Sequence, residues 1–156
     1  MMSPLEASAT GRIFLAAALA LVVVCVTAAF HYEALRALAG VWRGRSLSRA
    51  TLVVVFVGLV GAHLAEVAMY GLVYAVGTYP LGLGSLEGTG HSGALGYFYF
   101  AAETYSTLGY GDVVPSGALR LIASVETVNG LLLISWSGAF LFCILCDQRG
   151  KPHFRL

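Results

Sequence analysis

Hydrophobic positions along the chain fall into three long segments separated by shorter polar ones. Residues 13–30 form the first apolar run, residues 51–76 the second and residues 119–146 the third. A helix of about 20 apolar residues crosses a hydrocarbon core roughly 30 Å thick. The pattern therefore predicts an all-α membrane protein with three transmembrane helices. A signal peptide is the alternative for the first run, but no positive charge precedes Arg12, so a retained helix is favoured.

A polar loop and a short helix join the second and third apolar segments. Residues 77–92 are rich in glycine and contain no Lys or Arg, which is typical of a non-cytoplasmic loop. Residues 93–106, with an aromatic cluster at 97–100, predict a helix that is too short to span. Irregular backbone after such a re-entrant helix is tolerated at membrane depth only where protein buries it or water lines it. A short helix followed by a loop that lines a pore satisfies this condition.

The loop that follows, residues 104–112, has the glycine spacing that a cation-binding backbone needs. A dehydrated cation requires a ring of oxygens, and backbone carbonyls provide them without fixed charge. Successive carbonyls of an extended chain alternate in direction, so pointing them to one side requires some residues at positive φ. Glycine adopts these angles without steric cost, and Gly109 and Gly111 stand at alternate positions. Thr107 can add its hydroxyl oxygen.

This loop resembles the selectivity filter of potassium channels. Four of its residues match the family pattern Thr-Val-Gly-Tyr-Gly, namely Thr107, Gly109, Tyr110 and Gly111. Leu108 replaces the usual valine or isoleucine, at a position that contributes its carbonyl. The resemblance implies that K+ binds to oxygens of Thr107, Leu108, Gly109 and Tyr110, with Gly111 completing the filter.

The residues that flank the filter carry part of the same resemblance. Glu103 and Thr104 precede it, and Asp112 follows its last glycine. In prokaryotic potassium channels of this pattern, the two equivalent carboxyl groups interact behind the filter. Carried over to this chain, Glu103 and Asp112 would share a proton or a water, and the three flanking residues would support the shape of the loop.

The resemblance also implies an organisation for the chain. Residues 51–146 would form a pore module of outer helix, turret, re-entrant pore helix, filter and inner helix. Residues 1–50 would add a further transmembrane helix with a basic linker, and residues 147–156 a short cytoplasmic tail. One chain supplies one filter loop, whereas a pore needs a closed ring, so the family implies a homotetramer. The implied function is passive K+ permeation, with K+ and membrane lipids as partners and no cofactor.

Polar residues inside the predicted spans are functional candidates, because ionisable groups at membrane depth are costly and usually paired. His63 and Glu66 share a helix face at i,i+3 spacing. They could form a structural hydrogen bond, a proton-sensitive gating element, or two ligands of a metal site without a third. Glu126 and Asn129 precede Gly130, which lies where related channels carry a hinge glycine. Facing a cavity, the pair would concentrate cations; facing sideways, Glu126 would brace the filter or meet His63 and Glu66.

Charge sets the expected topology. Only 11% of the residues are charged, the formal net charge is +1, and no basic run indicates nucleic-acid binding. The most basic stretch, residues 31–50, contains Arg36, Arg43, Arg45 and Arg49 and is expected to be cytoplasmic. It is either a slide helix on the inner leaflet or a plain connector. With a cytoplasmic C-terminus, three spans place the N-terminus outside a prokaryotic inner membrane.

Two rival functions compete with a potassium channel. In a weakly selective cation channel, Leu108 or a loosened contact between Glu103 and Asp112 would deform the filter. A non-conducting accessory subunit would retain a filter-like loop. An enzyme is not expected, because the sequence contains no nucleophile–base set at a readable spacing and no phosphate-binding glycine motif with its lysine.

Overall fold

Four helices and one two-stranded sheet make up the described parts of the chain. The computed structural model describes residues 4–42, 48–88 and 93–149. In chain order, the elements are α1 (Pro4–Trp42), α2 (Arg49–Thr78), β1 (Leu86–Gly88), α3 (Ala94–Tyr105), β2 (Val113–Pro115) and α4 (Leu119–Arg149).

Three of these helices are long and apolar enough to cross a membrane within the described residues. The spans are Ala9–Val41, Arg49–Thr78 and Leu119–Cys146, and an 18-residue stretch within each has a mean hydropathy of 2.8, 2.2 and 2.0, respectively. At 1.5 Å per residue, even the 28-residue span measures about 42 Å, which exceeds a hydrocarbon core of about 30 Å. The predicted three-helix membrane fold is confirmed.

The first helix is longer than its apolar run, which corrects one expectation. Residues 31–42 continue α1 without a break, so this part of the amphipathic segment is not a separate slide helix. Ala, Leu, Glu and Arg, all good helix formers, predominate there. Leu35 is buried against Val55, Leu59 and Ile144, which ties the end of α1 to α2 and α4. Arg43 and Arg45, named in the predicted basic linker, lie outside the described residues.

Helix α3 lies against both α2 and α4 and contributes to the main core. It has 12 residues, about 18 Å of helix, and is too short to span. Phe100, Ala101 and Tyr105 are buried, in one core cluster with residues of α1, α2 and α4. The backbones of α2 and α3 approach closely, because a Cβ at Gly71 would stand 3.3 Å from the Cα of Phe98.

The outer faces of the long helices carry large apolar side chains. Phe14, Val57, Leu132 and Phe142 are each more than half exposed in the single chain. Lipid tails solvate such side chains as well as a protein interior does, so an apolar outer face fits an integral membrane protein.

A short antiparallel sheet joins the segment before α3 to the segment after the loop. β1 and β2 pair with Leu86 opposite Pro115 and Gly88 opposite Val113. A Cβ at Gly88 would overlap the carbonyl oxygen of Asp112, so only glycine allows the two segments to approach so closely. The sequence predicted a loop throughout residues 77–92; a three-residue strand is too short to give an alternating pattern.

Candidate functional site

The backbone of the loop after α3 alternates in handedness. Thr107, Gly109 and Gly111 have φ angles of 62°, 54° and 78°. All three residues, at every second position, have φ angles in the left-handed region, which is what pointing successive carbonyls to one side requires. The left-handed angles of Gly109 and Gly111 were predicted, because both are glycines. The angle of Thr107 was not, because a β-branched residue avoids this region at a cost of about 1–2 kcal/mol. Residues held in strained backbone conformations cluster at functional sites.

The start of the loop is hydrogen-bonded to the end of α3. The amide of Leu108 donates to the carbonyl of Glu103 at 2.8 Å, and the amide of Gly109 donates to the same oxygen at 3.3 Å. The amide of Thr107 donates to the carbonyl of Thr104 at 3.1 Å. Carbonyls at a helix C-terminus have no partner within the helix, so the loop satisfies them while they hold its amides.

The two predicted support carboxylates both hold the C-terminal part of the loop. Glu103 is buried, and its Oε2 accepts a hydrogen bond from the amide of Tyr110 at 3.1 Å. Oδ2 of Asp112 accepts from the hydroxyl of Tyr99 at 2.9 Å. Tyr99 lies outside the three spans; partial burial and the bond to Asp112 raise its pKa to about 12, so it remains a neutral donor. The shared proton or water between Glu103 and Asp112 stays a prediction.

The loop itself lies at the surface of the single chain. Residues 106–112 are exposed, whereas Tyr105 before them and Val113 after them are buried. Leu108 is 56% exposed and Tyr110 67%. The protein interior therefore anchors both ends of the loop and leaves its middle open.

Comparison with known proteins identifies the family. Residues 50–145 match the family model described as an ion channel. The chain belongs to this ion channel family. The match includes the pore helix, the loop and the two helices around them, so the predicted resemblance to potassium channels is confirmed.

Two curated proteins are similar to this member of the ion channel family. The calcium-gated potassium channel TvoK of Thermoplasma volcanium is 35% identical over 115 residues, which cover 68% of this chain and 33% of TvoK. The uncharacterized membrane protein YdjJ of Bacillus subtilis is 39% identical over 57 residues, 36% of this chain and 17% of YdjJ. The chain thus spans a third or less of these relatives. No solved structure matches it.

The polar pair predicted in the second span of the channel chain lies in a larger buried group, here called the His–Glu cluster. Its members come from all four helices: His31, His63, Glu66, Tyr105 and Ser137. Glu66 Oε1 lies 2.8 Å from Nδ1 of His31, and Glu66 Oε2 lies 3.1 Å from Nδ1 of His63. The hydroxyl of Tyr105 donates to Glu66 Oε2 at 2.5 Å.

From the sequence, only two members of this cluster, His63 and Glu66, were predicted to lie together. His63 and Glu66 are visible as neighbours on one helix face, whereas His31 lies 35 residues before Glu66, directly after the first apolar run. His31 and Glu66 are both fully buried. Ser137 bridges the two histidines, at 3.0 Å from Nε2 of His63 and 3.3 Å from Nε2 of His31. Only the packing of α1 against α2 and α4 brings these residues together.

The polar pair predicted in the third span faces sideways, into the helix bundle. Tyr74 donates its hydroxyl proton to Glu126 Oε2. The Nδ2 of Asn129 donates to Thr27 Oγ1 at 2.8 Å and to Tyr70 at 3.0 Å. Both side chains are buried within the chain, so the alternative in which they face a cavity is wrong for the single chain. The expected meeting of Glu126 with Glu66 and His63 is also wrong among the described residues, because Tyr74 is its partner.

Gly130 stands where α4 meets the end of α3. A Cβ at this position would overlap the carbonyl oxygen of Tyr105. The glycine was predicted as a hinge in the inner helix; the structure gives it a packing reason, which is the close approach of two backbones. This contact places α4 directly behind the start of the loop.

Proposed function

We propose that the chain is the pore subunit of a potassium-selective channel and that residues 107–111 are its selectivity filter. Transport through an ion channel follows from the family, and K+ selectivity is the finer proposal. The observation that carries it is the alternation of left-handed φ angles at Thr107, Gly109 and Gly111 within a Thr-Leu-Gly-Tyr-Gly sequence. Such alternation turns successive carbonyls toward a common side.

The proposed chemistry is replacement of the water shell of K+ by oxygens of this loop. The carbonyls of Thr107, Leu108, Gly109 and Tyr110 and the hydroxyl of Thr107 would supply these oxygens. Four residues of extended chain cover about 12 Å, enough for several ion positions in a row. No carboxylate belongs to the ring, so each ion is held weakly enough to leave when another enters.

Side-chain attachment of the C-terminal part of the loop supports this role. Glu103 holds the amide of Tyr110, and Tyr99 holds Asp112, so side chains outside the ring keep the loop in shape. Beyond Asp112, β2 is paired with β1. We assign Glu126 and Asn129 to bracing of the helices behind the loop, because both are bonded to other helices.

Four copies of the chain are proposed to form the pore. A ring of carbonyls requires several loops around one axis, and cyclic symmetry closes such a ring. The exposed middle of the loop, with Leu108 and Tyr110 more than half exposed, is the surface that such a ring would cover. The name of TvoK, a potassium channel, supports K+ as the permeant ion.

The orientation is proposed from charge. Arg36 and Arg49 flank the connection between α1 and α2, and positive residues favour the cytoplasmic side. This places the loop and the sheet toward the outside, with the N-terminus outside and the C-terminus in the cytoplasm of a prokaryotic cell. Cysteine labelling at engineered positions from each side of the membrane tests this orientation.

The test of conduction is K+ flux into proteoliposomes that hold the purified protein. Parallel samples replace K+ with Na+, and barium serves as the blocker. Barium-sensitive flux for K+ but not for Na+ supports a selective channel. Equal flux for both ions overturns K+ selectivity and favours the second candidate, a weakly selective cation channel. The observation that favours this candidate is Leu108, which stands at the position of the usual valine. Crosslinking in detergent tests the tetramer independently.

A further inference from the structure

We propose that His31, His63 and Glu66 form a binding site for a divalent transition-metal ion of the zinc class. Their ligand atoms come from α1 and α2 and all lie within 4.8 Å of one another. The site is separate from the filter, and its test measures metal binding in detergent. A negative result in this test therefore leaves the proposed K+ conduction unaffected, and absence of K+ flux leaves the proposed metal site unaffected.

The distances between ligand atoms suit a small cation. Nδ1 of His31 lies 2.8 Å from Glu66 Oε1, and Nδ1 of His63 lies 3.1 Å from Glu66 Oε2. In a tetrahedral zinc site with bonds of about 2.0–2.1 Å, neighbouring ligand atoms are about 3.3 Å apart. All three ligand atoms lie within 4.8 Å of one another, so side-chain rotation must draw the widest pair together to reach that separation.

The donor set selects the class of metal. Two imidazole nitrogens with one carboxylate are typical of Zn2+ and its neighbours Co2+ and Ni2+, whereas Ca2+ and Mg2+ prefer oxygen donors alone. Glu66 is fully buried in a span, where a lone carboxylate is costly. Its ion-pair partners in the described part of the chain are His31 and His63, so a bound cation supplies compensating positive charge.

Ser137 orients both histidines for metal binding. A hydroxyl carries one proton and two lone pairs. If Nδ1 of each ring binds the cation, each Nε2 carries a proton, and both can donate to Ser137 Oγ, which lies 3.0 Å from His63 and 3.3 Å from His31. Metal-binding histidines almost always donate their second ring N–H to an acceptor that fixes the ring orientation. The alternative is a purely hydrogen-bonded network, with an extra proton in place of the cation.

Tyr105 lies next to His63 and Glu66 and is a candidate for the fourth ligand. Its hydroxyl lies 2.9 Å from Nδ1 of His63 and 2.5 Å from Glu66 Oε2, so it can bind the cation or hold the carboxylate in place. The side chain of His63 is 20% exposed, which leaves a route for an ion to enter. A metal here would fasten α1, which precedes the family match at residues 50–145, to α2 beside the last residue of α3.

The decisive experiment is a Co2+ titration of the full chain in detergent, purified with a tag that contains no histidine. The background variant carries Cys25→Ser, Cys143→Ser and Cys146→Ser together with His91→Gln and His153→Gln, which removes other soft and imidazole ligands. Visible absorption reports the geometry of bound Co2+, and Zn2+ is then added as a competitor. We expect one Co2+ per chain, with the intense bands of a four-coordinate site, displaced by Zn2+.

Variants of the cluster decide the location of the bound metal. His31→Gln and Glu66→Gln should each weaken Co2+ binding by at least about 100-fold, and Ser137→Ala by about 10–100-fold. The matched control is Asn129→Leu, because Asn129 is bonded to Thr27 and Tyr70 and offers the cluster no ligand. It should leave Co2+ affinity within about twofold. Size-exclusion profiles show whether each variant is folded, and Ser137→Ala provides the test if the ligand variants do not fold.

Two results would overturn the proposal. Failure of the folded background protein to bind Co2+ at micromolar concentrations would leave a hydrogen-bonded network without a metal. Unchanged Co2+ affinity in folded His31→Gln and Ser137→Ala would place the bound ion elsewhere in the chain.

Discussion

The loop after α3 and the His–Glu cluster adjoin at Tyr105 but are held together in opposite ways. The loop, residues 106–112, is exposed and is held by backbone amides that donate to Glu103 and Thr104. The cluster is buried except for His63, whose side chain is 20% exposed, and it is held by bonds between side chains of different helices. Tyr105 borders both regions, because its hydroxyl contacts Glu66 and the loop begins at the next residue.

This difference separates two kinds of sensitivity. In the loop, backbone conformation carries the proposed function, so a substitution matters when it changes the allowed φ angle. In the cluster, the identity of each side chain matters, because a buried polar group that loses its partner costs about 1–3 kcal/mol. Variants in the two regions should therefore affect different measurements: ion flux for the loop and folding stability for the cluster.

The largest effect is expected from Gly109→Ala. A Cβ at Gly109 meets nothing within 4 Å in the single chain, but the φ angle of 54° is unfavourable for alanine. Barium-sensitive K+ flux in proteoliposomes should fall by at least about 100-fold while the protein stays folded. Gly11→Ala, at an exposed position in α1 that also has free space, is the matched control. Normal flux in the Gly109 variant would refute the filter assignment.

Glu66→Ala should reduce stability more than any other single carboxylate variant outside the loop. It removes the acceptor that His31, His63 and Tyr105 share, at a cost of about 3 kcal/mol. Equilibrium unfolding in mixed SDS and detergent micelles measures this loss. The control is Glu33→Ala, which removes an exposed pair with Arg36 and should cost less than about 1 kcal/mol. Equal losses in the two variants would contradict a structural role for the cluster.

Gly130→Ala tests the contact between α4 and the end of α3. Its methyl group would overlap the carbonyl of Tyr105, so the helices must separate, at about 1–3 kcal/mol. The same unfolding assay measures this cost. Gly138→Ala, in the same helix but with nothing within 4 Å, should be neutral or slightly stabilising, since alanine is the better helix former. A neutral Gly130→Ala would contradict this packing role.

Tyr99→Phe should have a moderate effect on selectivity. It removes the hydroxyl that holds Asp112, worth about 1 kcal/mol, and so loosens the end of the loop. Reversal potentials in mixed K+ and Na+ should show selectivity that is weaker by a few fold. Tyr97→Phe is the control, because Tyr97 contacts the ring of Tyr79. If both variants show the same selectivity, the bond between Tyr99 and Asp112 has no specific role.

Leu108→Val should have the smallest effect. The position is proposed to contribute its carbonyl, and the side chain of Leu108 is 56% exposed in the single chain. We expect the K+ to Na+ flux ratio to change by less than about twofold in the proteoliposome assay. A change of tenfold or more would show that this side chain, and not only the backbone, sets selectivity.

Much of the fold could be read from the sequence, because its signals are local. The three apolar segments, the short helix before the loop and the glycines at 109 and 111 are each visible within a few residues. The predicted boundaries differ from the structure, since α1 extends to Trp42, beyond the apolar run, and β1 interrupts a predicted loop. Helix propensity and a three-residue strand leave only weak patterns in a sequence.

The sequence by itself determined the class of protein, the number of spans and the presence of a filter-like glycine motif, because hydropathy and glycine spacing act along the chain. Only the tertiary structure decided that His31 meets Glu66, that Glu126 and Asn129 face other helices, and that Gly130 lies against Tyr105. These contacts join residues that are distant in sequence, and the rotation of each helix about its axis selects them. Helix rotation depends on how side chains of different helices fit together, which no single segment encodes.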